Sequence, residues 1–317
     1  MYYPYLRAKQ FELKALREFS EKYPNEKKIV PILEPVKKQP NALKLAINDM
    51  GNNGMQFALI VNPADGDFKH ESVSFEILLE ELGLVENGTV VNNWIPAFLC
   101  PKNQLTTIFP LIEKYSFSNV MLIFRSFMDI EEPTVNKLVG DSRVGYIVNA
   151  FGTTPTRRLK KQLKDTGKKV IRLDDCFKSK TRNADYSLED DEFFSEVLFY
   201  YTDEGFDGFA DYTTLPSEYV EGGMLPYALA IHLSYQKKED QIYVHHFVSD
   251  SNMANNDIRG KFREAASKVE PFFKDKEQTN AVKEIMSKAD DSEGYPGLGY
   301  LKKLSVMNHL ELMYGVI

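Results

Sequence analysis

Residues 120–149 read VMLIFRSFMDIEEPTVNKLVGDSRVGYIVN, and this stretch sets the fold class. It opens with an unbroken apolar run, Val120–Phe124, which ends abruptly in Arg125-Ser126. A short helical pattern follows over roughly 132–139. A second apolar run, Val144–Val148, then closes on Asn149. Strands rich in Val, Ile, Leu and Phe, with no polar alternation, are those a parallel sheet buried on both faces requires. A helix between two such strands is the crossover that parallel pairing needs.

The same rhythm extends in both directions. Upstream, Ile29–Leu33 closes on Glu34-Pro35, Phe57–Val61 ends in the turn Asn62-Pro63-Ala64-Asp65-Gly66, and Trp94–Leu99 is a third run. Helical stretches separate them. One runs from Ala42 to about Met50 behind an Asn41 cap, one over Ser72–Leu82, and one over Gln104–Tyr115, with Pro110 expected to kink or split it. Downstream, Thr154 and Pro155 open a helix that Gly167 stops, Lys168–Leu173 ends in Asp174-Asp175, and a helix is expected over Glu189–Tyr201. Phe209–Tyr212 and Ala228–Tyr235 complete eight strands, and Ile242–Val248 pairs with the last as a hairpin. The opening segment, Tyr2 to Tyr23, begins extended and turns helical, and reads either as a solvated helix start or as a segment lying across one end of the barrel. This pattern predicts an α/β fold, a (β/α)8 barrel of the TIM type over 1–259 with an added hairpin. A helical C-terminal extension is expected over 260–317. An open doubly wound sheet is the alternative, since periodicity does not reveal closure.

Composition narrows the function classes. The chain has 317 residues, 43% apolar and 27% charged, with a net charge of -7, which suits a globular protein and disfavours broad nucleic-acid binding. No apolar run approaches the ~20 residues of a membrane helix, and MYYPYLRAKQ lacks a secretory h-region, so a cytoplasmic location is expected. The two cysteines, Cys100 and Cys176, form no metal or redox spacing and read as unpaired buried thiols. The Walker loop, GxGxxG, HExxH and GxSxG are all missing.

Active sites of β/α barrels gather at the C-terminal ends of the strands. That rule selects Glu34, Asn62, Arg125, Asn149, Asp174 and Asp211. Three carboxylates, Glu34, Asp174 and Asp211, would suit a magnesium ion, and Arg125 would clamp a phosphate or carboxylate. The bland alternative is that Arg125 only neutralises those carboxylates. Three of the five histidines, His232, His245 and His246, fall on the hairpin. Neighbours on a strand point to opposite faces, so one of His245 and His246 can share a side with His232, for metal binding, proton transfer or structural hydrogen bonding. His70 and His309 read as surface or tail residues. Gly222-Gly223 reads as a flexible turn, or as a place where backbone approaches a phosphate.

Several blocks carry a family resemblance. The opening Tyr3-Pro4-Tyr5-Leu6-Arg7, with Lys9-Gln10, Glu12 and Ala15-Leu16-Arg17, leads to Pro31-Ile32-Leu33-Glu34-Pro35. Further blocks are Arg182–Tyr186, Asp191–Ser195, Gly208–Tyr212, Glu221–Gly223, Ala230–Leu233, His246–Asp250, Pro296–Tyr300 and Lys302–Ser305. In these the chain resembles the beta-protein family of phages and bacteria. The resemblance implies a phage-related or anti-phage role beside a protein partner encoded nearby. It adds weight to Lys9, Glu12, Glu34, Asp211, Tyr212, His232 and His246, which lie inside the matching blocks.

Two functions follow as expectations. One is a barrel that acts with a protein partner as sensor, regulator or scaffold and keeps a polar strand-end pocket. The other is a metal-assisted enzyme or binder acting on a phosphorylated or nucleotide-like small molecule. In both, Glu34, Arg125, Asp174, Asp211 and His246 are the reactive candidates, and Lys9, Glu12, Tyr212 and His232 the ligand-binding ones.

Overall fold

The computed structural model describes the chain except residues 70–75, 87–88, 91–92, 127–128, 130, 151–155, 223–224 and 292–293. Its strands are β1 (Tyr5–Leu6), β2 (Ile32–Leu33), β3 (Ala58–Ile60), β4 (Val85–Glu86), β5 (Thr89–Val90), β6 (Ile95–Leu99), β7 (Val120–Phe124), β8 (Val144–Ala150), β9 (Lys169–Leu173), β10 (Asp191–Ser195), β11 (Gly208–Ala210), β12 (Ala230–Lys238) and β13 (Gln241–Val248). The chain divides into two compact units, Met1–Leu13, Ser20–Asp174 and Val197–Asp211 in the first, the remainder in the second.

The first unit is a β/α barrel. Eight parallel strands run in the order β1-β2-β3-β6-β7-β8-β9-β11, with helices between most of them. The two ends of that order meet: Tyr3 N–H donates to Phe209 O at 2.8 Å and Tyr5 N–H to Asp211 O at 2.8 Å. Closure therefore depends on the N-terminus. The staves that close the ring are β1 and β11, whereas the expected eighth strand at 228–235 belongs elsewhere. Periodicity missed β1 because it is two residues long and follows Pro4, which has no N–H to offer. The Pro4 carbonyl still accepts from Ile32 N–H at 2.8 Å, so the residue sits in the ladder without breaking it.

Side-chain alternation sorts the strand residues by face. The rings of Tyr3 on the β1 side and Tyr146 on β8 lie 6.4 Å apart although these strands are not neighbours, so both point into the barrel. A Cβ on Gly208 would stand 2.6 Å from the Tyr3 ring, and only glycine fits there. Following the register outward, Tyr5, Arg7, Glu34, Asn62 and Arg125 share the inward parity. Tyr2, Asn149, Arg172, Asp174 and Asp211 carry the outward one.

The second unit is built on an antiparallel sheet in the order β10-β13-β12. The helix expected over Glu189–Tyr201 is instead β10 followed by the short helix Val197–Tyr200. Pairing with β13, from Asp191↔His245 to Ser195↔Ile242, overrides the local helical spacing. The helix Leu298–Val316 packs on β12 and is buried at every position from Lys303 through Met313. His309, read as a surface or tail residue, belongs to this tail helix but is fully buried, with Nδ1 3.0 Å from Ser234 Oγ, and Asn308 donates to Ser234 O at 2.9 Å. His70, Thr154, Pro155 and Gly223 lie outside the described residues. The unit boundaries differ from a division at 259/260, because β10, the hairpin and the C-terminal helices pack on one another.

Candidate functional site

Two polar clusters carry chemistry, one in each unit. In the barrel, β1 and β2 end in Arg7 and Glu34, and the turn after β3 supplies Asp65. Glu34 is fully buried. Its Oε2 accepts from the Tyr5 hydroxyl at 2.6 Å, from Arg7 Nη1, and from Arg125 Nη1 at 3.2 Å. Its Oε1 accepts from Ala64 N–H at 3.3 Å. Arg7 also pairs with Asp65, and Arg125 Nη1 stands 3.6 Å from Asp65 Oδ2. Arg125 reaches this group from β7, across the interior. Glu34 thus acts as an anchor for two guanidinium groups, with its lone pairs already engaged by donors. Arg7 is 8% exposed in its side chain and Arg125 is 28%, so Arg125 presents more of its guanidinium to solvent.

Beside this cluster the chain leaves β1 through Ala8, whose φ of 49° is left-handed, and enters the helix Gln10–Lys22. Glu12 reaches back to accept from Arg7 N–H at 2.7 Å, two residues before the N-cap position. Burial pushes its carboxyl up to about 7, against the pull of Lys9 and the Arg7 and Lys9 N–H groups. A cleft of about 280 Å³ opens here, lined by Ala8, Gln10, Leu13, Pro35, Val36 and Asn41 among others. Another of about 300 Å³, beside Met55, Phe57 and Asn93, lies at the N-terminal ends of β3 and β6 and away from these charges.

The remaining strand-end candidates do not join Glu34. Asn62 staples β3 to β6, donating to Leu99 O and accepting from Leu99 N–H, both at 2.8 Å. Asp174 takes two bonds from Arg172, at 2.7 and 3.0 Å, and Arg172 also reaches Glu204 at 2.5 Å. Burial raises the Asp174 pKa, with Arg172 opposing it. Asp211 accepts from the Tyr2 hydroxyl at 2.6 Å, and Tyr2 stacks on Phe209 at 5.0 Å. Asn149 is buried, and its Oδ1 has no partner among the described residues. Asp174, Asp211 and Asn149 have the outward parity, so a magnesium site shared by Glu34, Asp174 and Asp211 does not form. Among the described residues no group of three or more His, Cys, Asp or Glu side chains is placed to hold a metal. Cys100 is buried and its thiol is pushed up to about 12, while Cys176 is half-buried, and both are unbridged.

In the second unit, β12 and β13 bring His232 opposite His246. Their Nδ1 atoms are 2.8 Å apart. The Tyr186 ring stands 4.6 Å from each imidazole, and Phe177 5.1 Å from His232. Behind His246, Glu192 of β10 places Oε2 3.5 Å from Nε2. Glu192 and His246 are each 3% exposed. Burial, then His245 and Lys180, lower His246 to about 4, against Asp190 and Asp191. His245 faces the other side of β13, stacked on Phe272 at 3.9 Å. Tyr212 is a buried residue of this unit, whereas Lys9 and Glu12 belong to the barrel.

Sequence inspection missed Tyr5, Arg7, Asp65, Tyr186 and Glu192 as site members. Tyr5 and Arg7 become legible once β1 is recognised as a barrel strand, and Glu192 once β10 is. No protein-family model, curated protein or solved structure matches the chain. Among the described residues no helix is long and apolar enough to cross a membrane.

Proposed function

We propose that the barrel mouth binds a small anionic molecule, phosphorylated or carboxylated, through the guanidinium groups of Arg125 and Arg7. The observation that carries this reading is the fully buried Glu34, which holds Tyr5, Arg7 and Arg125 on one carboxylate. Preset guanidinium groups recognise carboxylate and phosphate oxygens with little further ordering. Glu34 positions the arginines and has no role as a base in this reading. The test is a thermal-shift screen against nucleotides, sugar phosphates and dicarboxylates, with and without magnesium, on wild type and Arg125→Ala. A ligand that raises the wild-type midpoint and leaves Arg125→Ala unmoved supports it. Equal shifts in both proteins, or none in wild type, discard it.

A second reading keeps the barrel as part of a phage-related or anti-phage system that works with a protein partner encoded nearby. It rests on the family resemblance and on Val220, Leu225 and Tyr227, which are 64%, 55% and 56% exposed on one connecting segment of the second unit. Clustered exposed apolar side chains favour contact with another protein. Co-expression with the neighbouring gene product should give a complex on gel filtration that Val220→Asp with Tyr227→Asp abolishes. A complex that survives both substitutions removes this segment from the interface.

A further inference from the structure

Among the described residues, Glu192 Oε2 and His246 Nε2 are both buried atoms without a hydrogen-bond partner, and they face each other across 3.5 Å. Unpaired buried polar atoms are rare and costly, so the pair demands an explanation. The opposite nitrogen of His246 meets His232 Nδ1 at 2.8 Å, a distance that requires one proton between the two nitrogens. Glu192, paired with Lys178 at 3.2 Å, presents an acceptor oxygen to His246 and so favours the tautomer with the proton on Nε2. His246 Nδ1 is then bare and accepts from His232 Nδ1–H. His232 in turn is left with a bare Nε2. His232 is half-buried, and its Nε2 is not among the buried unpartnered atoms.

From this geometry we propose that Glu192, His246 and His232 form a proton relay whose open end, His232 Nε2, is a general base for a hydroxyl-bearing anionic ligand. The step balances without a co-reactant. The ligand O–H bond breaks and its proton goes to His232 Nε2. The His232 Nδ1 proton passes to His246 Nδ1, and the His246 Nε2 proton passes to Glu192. Both imidazoles end neutral, as their burial favours, and Glu192 ends protonated. Closing the 3.5 Å gap by a fraction of an ångström is the contraction expected when a ligand occupies such a site. The anionic class follows from the cations beside the relay. Exposed Lys302 acts on His232 and gives the open end its positive charge, while Lys178, 3.2 Å from Glu192 Oε1, and Lys180, 4.0 Å from Oε2, pair with Glu192 at the closed end.

The groups that bear on its titration are His246 and Lys302 for His232. For His246 they are Glu192, His245, Lys180, Asp190 and Asp191. The test reads imidazole tautomers in the full chain by long-range proton–nitrogen NMR at pH 7, so wild type alone can overturn the proposal. The expected pattern is a protonated Nε2 on His246 with a bare Nε2 on His232. A proton on His232 Nε2 rejects the relay. Glu192→Gln supplies an amide donor in place of a pure acceptor, and should move population toward protonated His232 Nε2 and slow its acylation by diethyl pyrocarbonate. Unchanged tautomers and unchanged acylation in that variant also reject it. Titration with glycerol phosphate should shift the His232 nitrogens in wild type, and no shift discards the anionic hydroxyl class.

Discussion

The barrel mouth and the histidine sheet solve the burial of charge in opposite ways. At the mouth, Glu34 is fully buried and its two oxygens receive donors from Tyr5, Arg7, Arg125 and Ala64. In the sheet, Glu192 is almost as buried, yet its Oε2 and the facing His246 Nε2 have no hydrogen bond among the described residues. A saturated network is rigid and holds side chains in place, whereas the unsaturated one leaves open the contact on which the proposed relay rests. The first arrangement suits recognition and the second suits chemistry.

The largest expected effect breaks the saturated side. Glu34→Ala strands two guanidinium groups and a tyrosine hydroxyl, and should cost about 3–5 kcal/mol in urea unfolding. A loss below about 1 kcal/mol would show that Arg7 and Arg125 find other acceptors readily.

Acid and base separate the regions next. Glu12 is raised in the folded state to about 7 from 4.5, so its stabilising contribution is complete below 4.5 and lost as pH rises through 7. That loss is on the order of 3 kcal/mol. Unfolding of Glu12→Gln followed from pH 4.5 to 8 should lack this slope. His246 is lowered to about 4 from 6.5, so its contribution is present above 6.5 and lost as pH falls through 4. His246→Phe should flatten the acid limb alone, and a variant that flattens both limbs would couple the two regions.

A smaller effect sharpens the unsaturated side. Glu192→Leu combined with His246→Leu should be less destabilising than the sum of the singles, with a coupling of about 1–3 kcal/mol in a double-mutant cycle. Additive losses would mean the two atoms do not sense each other. The smallest concerns Arg125→Lys, which keeps the charge but loses the planar fork. It should weaken an anionic ligand about tenfold in titration calorimetry, with unfolding changed by less than about 1 kcal/mol.

The strand ends show how much of this the sequence carried. The rule that polar residues after apolar runs mark the mouth found Glu34, Asn62 and Arg125 together with Asp174, Asp211 and Asn149. It could not separate them, because the first residue after a strand falls inward or outward according to parity, and parity depends on a register that no single strand encodes. The missed β1 and β10 have a related cause. Each is short and gains its strand geometry from partners distant in sequence: Tyr5 from Ile32 and Asp211, and Glu192 from Val244.

The sequence alone determined the parallel β/α rhythm, the hairpin that carries His232 and His246, and the helical tail. These rest on local apolar spacing, capping residues and turn chemistry, all of which act over a few residues. Tertiary structure decided that the N-terminus closes the barrel, that Glu34 pairs with Arg7 and Arg125 rather than sharing a metal with Asp174 and Asp211, and that Glu192 stands behind His246. Those outcomes require pairing between segments far apart in the chain, where the free energy lies in contacts that local pattern does not record.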